Sequence, residues 1–118
     1  MLFDVQFYAG ADGSQPIVDF LEELRTTSPA LHKLLVAGLV RLKDSGRHGP
    51  PLTEMVDTKH DILELRVGDA NIARAFFFFQ QGQRIVVTHG YVKKRQKVDP
   101  RELERARRYK QDWERRFP

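Results

Sequence analysis

The chain opens on an alternation. Phe3, Val5 and Phe7 share one side and Asp4 and Gln6 the other, the period of a half-buried strand over residues 2–8. Gly10-Ala-Asp-Gly13 breaks it. Ser14 is placed to cap a helix with Pro16 in its first turn, and Ile17, Phe20, Leu21 and Leu24 follow at i, i+3, i+4 and i+7. Thr26-Thr27 closes that helix. Ser28-Pro29 opens another, with Ser as N-cap and Pro at the first helical position. Leu31, Leu34, Leu35, Leu39 and Leu42 form its apolar face and Gly46 ends it. Two amphipathic helices joined so tightly predict a helical hairpin. Residues 45–53 are loop by composition.

Alternation returns at residues 62–67, with Leu63, Leu65 and Val67 on one face and Ile62, Glu64 and Arg66 on the other. Gly68-Asp-Ala-Asn71 is a hairpin connection. Ile72 to Phe79, with four consecutive phenylalanines, is apolar on both faces, as a central strand covered on both sides would be. Gln81-Gly82 turns the chain into a fourth strand, Ile85 to Thr88. Asp99-Pro100 with Glu102 resembles a capping box, and a helix with the stripe Leu103, Ala106, Trp113 and Phe117 follows. The order β-α-α-β-β-β-α predicts an α+β fold. Its last three strands form a meander, with the helical hairpin and the C-terminal helix on one face of a small antiparallel sheet. No repeat or linker divides residues 1–118, which read as one domain.

Composition narrows the class. In 118 residues, 41% hydrophobic and 31% charged, there is enough apolar surface for a core and too much for a disordered chain. The absence of cysteine excludes disulfides, thiolate metal sites and cysteine nucleophiles. No segment nears the roughly 18 apolar residues of a membrane span. Met1-Leu2-Phe3-Asp4-Val5 lacks the basic and apolar regions of a signal peptide. The expectation is a soluble, cytoplasmic protein with no membrane partner.

The net charge of +4 matters less than its placement. Residues 1–92 carry 9 Lys/Arg against 11 Asp/Glu, whereas residues 93–118 carry 11 against 5. A cationic chain end suits either a solvated helix or an anionic partner.

The four histidines, His32, His48, His60 and His89, show no short ligand spacing, so a zinc site is not expected. The phosphate-cradling Gly-x-x-x-x-Gly-Lys motif is absent, as is the dinucleotide fingerprint. Ser14, Ser28 and Ser45 read as caps rather than nucleophiles. The informative polar groups lie on strands. Arg74 sits inside an apolar run, where a guanidinium requires a partner, and a tight hairpin brings it near Glu64 or Arg66. Two readings fit: a structural ion pair through Glu64, or an anion site held by Arg66 and Arg74. His89-Gly-Tyr-Val-Lys-Lys-Arg-Gln-Lys97 adds four cations, an imidazole and a phenol in nine residues, and Gly90 permits an unusual backbone angle there. Such a patch suits a phosphodiester, whose charge rises in the transition state. Trp113 and Phe117 read as core, with a partner-docking strip as the alternative.

These segments, in their order and spacing, resemble the RelE/ParE superfamily of toxins from type II toxin–antitoxin systems, and within it the HigB-like, phage-derived branch. The likeness rests on the Phe-x-Val-x-Phe strand, the two helices, Ile62-Leu-Glu-Leu-Arg66 and Ile72-Ala-Arg74-Ala-Phe-Phe. His89-Gly-Tyr-Val-Lys-Lys94, Gln96-Lys97 and the helix start at Pro100 complete it. The resemblance implies a small toxin, an mRNA interferase that cuts mRNA on the ribosome by attack of a ribose 2′-OH on the adjacent phosphate. It implies no metal and no other cofactor, and neutralisation by a cognate antitoxin, often a helix-turn-helix protein. Carried onto this chain, Arg66 and Arg74 orient the phosphate, and Lys93 and Lys94 bind the backbone or neutralise the transition state. Tyr91 stacks or donates a proton, His89 is an acid/base candidate, and Lys59, Arg95 and Lys97 are peripheral phosphate contacts. Two departures stand out. Ile62 and Glu64 occupy the places of a lysine pair, leaving Glu64 structural or a possible base, and Arg95 replaces a threonine. A ParE-like inhibitor of DNA gyrase, or a nucleic-acid-binding domain without catalysis, would share the fold.

Overall fold

The computed structural model describes residues 1–94 and 97–118. In chain order its elements are β1 (Asp4–Phe7), α1 (Pro16–Thr27), α2 (Pro29–Arg41) and a 3₁₀ turn (Ser45–Arg47). They continue with β2 (Thr53–Asp57), β3 (Ile62–Gly68), β4 (Ile72–Gln80), β5 (Arg84–Lys93) and α3 (Pro100–Arg116). The fold is α+β, as its pattern predicts, but the sheet has five strands and is mixed. Its order is β1-β5-β4-β3-β2, with β1 parallel to β5 and the other pairs antiparallel. The antiparallel expectation fails at β1 because alternation tells which face is buried and not which neighbour is paired.

The helices do not share one face. Ile17, Phe20 and Leu24 of α1, with Leu31, Leu35 and Leu39 of α2, bury Leu65, Val67, Ala73, Ala75, Phe77, Ile85 and Val87. On the opposite face Leu103, Ala106 and Trp113 of α3 cover Ile62, Phe76, Phe78 and Val86. The consecutive phenylalanines of β4 serve both layers, so the two-sided covering holds while the one-sided helix packing is corrected. A register shift between Ala75 and Phe77 puts its extra residue on β5, at Thr88-His89, and leaves the alternation of β4 unbroken.

Local details follow from the caps. Asp99 caps α3 by accepting a hydrogen bond from the Arg101 amide at 2.9 Å. Its expected capping-box partner Glu102 turns instead toward His89 and Arg105. Gln15, not Ser14, is the N-cap of α1, and the Ser14 hydroxyl donates to Asp12. The second helix ends at Arg41 rather than at Gly46, which falls in the 3₁₀ turn. Leu34 is 45% exposed and Phe117 46%, so both leave the apolar faces the periodicity assigned them.

Candidate functional site

The strand residues singled out by the sequence meet on the α3 side of the sheet. Pairing sets Arg66 opposite Arg74, and Arg74 opposite Tyr91, while Glu64 lies opposite Phe76 and Glu54 opposite Glu64. Two guanidiniums facing each other across a ladder repel. Interleaved carboxylates remove the conflict. Arg74 Nη1 donates to Glu64 Oε1 at 2.6 Å, Arg66 Nε lies 3.5 Å from the same oxygen, and the outer side of Arg66 pairs with Glu54. The result is a row of alternating charge, Glu54–Arg66–Glu64–Arg74, that sums to zero.

Burial divides this row. Arg74 and Glu64 are fully enclosed, whereas Arg66 keeps 22% of its side chain in solvent. Burial pushes the Glu64 carboxyl above the usual range, against the pull of Arg74 and Arg66. Arg74 therefore occupies the place of a buried counter-ion, and Arg66 is the guanidinium that reaches the surface.

Tyr91 stacks on Phe76, with ring centroids 5.7 Å apart, and its hydroxyl accepts a hydrogen bond from the Asp99 amide at 3.1 Å. This bond ties the end of β5 to the start of α3. Burial raises the phenol's pKa.

His89 is 1% exposed, lodged between Phe76 and Tyr109. Its Nδ1 lies 3.2 Å from the Thr88 hydroxyl and its Nε2 3.4 Å from Glu102 Oε1. That Nε2 contact falls short of hydrogen-bond geometry, so the nitrogen is buried without a hydrogen-bond partner. Burial, reinforced by the Arg105 charge, lowers the imidazole pKa to about 3. At neutral pH the ring is uncharged.

The lysines lie outward. Lys93 faces Ile72 across the β4–β5 ladder and approaches Asp99 at 4.0 Å. Lys94 and Lys97 are exposed, and Arg95 lies outside the described residues. The Arg66 end of β3 and the Lys93 end of β5 thus flank the same end of β4. Lys59 does not join them. It is exposed in the turn before β3, at the other end of the sheet, where Asp57 holds Arg107 of α3. Hydrogen bonds from Arg107 and His60 lower the Asp57 pKa despite burial that raises it.

Gly90 has no left-handed backbone. Its φ is not among the positive ones, and its need is space: a Cβ there would lie 2.5 Å from the Phe20 ring and 2.7 Å from the Arg74 carbonyl oxygen. The expectation of an unusual angle is thereby corrected. Glu54 carries no signal in the sequence, because its strand, Thr53–Asp57, shows no clean alternation. Among the described residues no group of three or more His, Asp or Glu side chains is placed to hold a metal ion, and no helix is long and apolar enough to cross a membrane.

A mixed five-stranded sheet between a helical hairpin and a C-terminal helix, with cations gathered at one strand end, defines a small RelE-like fold. A family model of the phage-derived Gp49-like proteins (DUF891) matches residues 22–111. The chain belongs to that family, which is RelE- and toxin-like. The match contains every candidate site residue. No curated protein matches the chain.

Proposed function

We propose that this chain is the toxin of a type II toxin–antitoxin system, and that it acts in the cytoplasm as an mRNA endonuclease on translating ribosomes. The reading is supported by membership of a toxin-like family. The observation that carries it is the grouping of Arg66, Lys93 and Lys94 at one end of the sheet. In the proposed reaction the ribose 2′-oxygen attacks the adjacent phosphorus and the bond to the 5′-oxygen breaks. A 2′,3′-cyclic phosphate and a 5′-hydroxyl result, the proton lost by the nucleophile being matched by one gained at the leaving oxygen. Arg66, Lys93 and Lys94 meet the growing negative charge on the phosphoryl oxygens. Lys97 and Arg95 extend the contact along the backbone. Tyr91 presents a ring edge to the substrate. Arg74 and Glu64 act as positioning residues that hold Arg66, and His89 supports the strand beneath.

Expression of the wild type in bacteria, with mapping of mRNA 5′ ends, tests the reading. Growth arrest with in-frame cuts is expected, and Lys94→Ala lowers cleavage about 10²-fold or more. Arrest with intact mRNA and disturbed DNA topology would overturn it in favour of the gyrase-inhibitor reading. One observation favours that alternative: both strand guanidiniums are already engaged by carboxylates.

A further inference from the structure

A cleft lies between α2, the end of β3 and the start of β4, and adjoins the candidate site at Arg66. Its volume is about 650 Å³, within the range of specific binding pockets. Its apolar lining is aliphatic, from Leu34, Pro51, Leu52, Val67 and Ile72, and three guanidiniums, Arg41, Arg47 and Arg66, line it as well. Arg66 already pairs with Glu54 and lies near Glu64, which it shares with Arg74. Arg41 and Arg47 are exposed, and neither has an ion-pair partner among the described residues. Nothing in α2 packing requires Leu34 at the surface, since Leu31, Leu35 and Leu39 already supply the buried face. An exposed leucine beside two uncommitted arginines is a paired feature, an apolar seat with a cationic rim.

We infer that this cleft binds an acidic amphipathic peptide segment of a partner protein, with an apolar side chain seated on Leu34 and Leu52 and flanking Asp or Glu side chains on Arg41 and Arg47. The chemistry discriminates against nucleic acid. Bases are held by stacking on aromatic rings or guanidinium planes together with polar contacts to their edges, and the lining carries no aromatic ring. Carboxylates match the guanidinium fork. The inference goes beyond the proposed cleavage and does not require it; on the toxin reading the antitoxin would carry the segment.

The test selects a displayed library of random 14-residue peptides on the wild-type protein, with counter-selection on Arg41→Glu/Arg47→Glu. Both positions are exposed, and circular dichroism verifies that the variant is folded. Enriched peptides should combine a Leu, Ile, Phe or Trp anchor with flanking Asp or Glu. They should bind the variant at least about tenfold more weakly and lose affinity in high salt. Leu34→Asp, an independent exposed change, should abolish binding while mRNA cleavage persists. Absence of enrichment, or enrichment of neutral or basic peptides, overturns the inference. So does a single-stranded RNA 12-mer whose binding falls equally with the charge reversal, or self-association of the wild type that the reversal abolishes. Cleavage is assayed separately on the same proteins, so loss of the nuclease reading and loss of this one are read apart.

Discussion

Arg74 and Glu64 illustrate how much a single side chain's surroundings decide. With Arg74 and Glu64 both enclosed, deleting either takes from the other its nearest buried counter-charge. Arg74→Ala should therefore cost about 3–5 kcal/mol of stability in urea unfolding, and the double change Arg74→Met/Glu64→Leu should recover most of it. A double variant as unstable as the single one would sink the account. It follows that inactivity of an Arg74 variant says nothing about catalysis until its folding is measured. The sequence shows that Arg74 needs a partner, because a guanidinium in an apolar strand does. It does not show which residue becomes that partner, since either Glu64 or a bound anion satisfies the same pattern.

His89 makes a pH prediction. Its folded pKa of about 3 lies below the ordinary 6.5, so the unfolded chain takes up the proton first. The stabilisation is complete above pH 6.5 and is lost as pH falls toward 3, at up to about 1.4 kcal/mol per pH unit. Urea midpoints measured from pH 7.5 to 4 should fall accordingly. His89→Gln should show a visibly flatter profile; an unchanged slope in the variant would assign the effect elsewhere.

At the scale of elements, α1 and β5 meet closely at Gly90. Gly90→Ala drives a methyl into Phe20 and the Arg74 carbonyl. Overpacking of this kind costs about 1–3 kcal/mol, which thermal unfolding would register as a drop of several degrees; a neutral result would mean that α1 yields freely. Helices and the β3–β4 hairpin were legible because each declares its own period and turn. Strand β2 was not. Its sequence, Thr-Glu-Met-Val-Asp, buries the polar Thr53 and Asp57 at its ends, leaves Met55 exposed and carries a register shift. It forms because β3 offers an open edge, a tertiary cause that no local pattern records. The two-faced helix arrangement was half legible: four phenylalanines in a row already require cover on both sides, and helices are what remains to provide it.

For the molecule as a whole, the cationic chain end is less free than its count suggests. On α3, Arg107 pairs with Asp57 and Glu104, Arg115 and Arg116 pair with Asp112, and Arg105 approaches Glu102. Hydrogen bonds from Arg116 and Tyr8 lower the Asp112 pKa to about 2, so this pairing persists through the neutral range. Among the described residues of this chain end, Lys94, Lys97 and Arg108 are exposed and take no part in these pairs, so they carry charge available to RNA. Affinity for single-stranded RNA measured against salt should then lose about 0.7 from its logarithmic slope for each of Lys94→Ala and Lys97→Ala. Arg107→Ala should leave the slope unchanged, and an equal effect from all three would contradict this division.

The parallel docking of β1 on β5 has a temporal side. Asp4 must wait for Arg84. As the chain emerges from the ribosome, the strand bearing Phe3, Val5 and Phe7 is made long before its hydrogen-bonding partner, and closing so long a loop is slow. Until then its apolar side stays uncovered. The interval between the birth of the first strand and that of the fifth is when a nascent copy is most open to stray association.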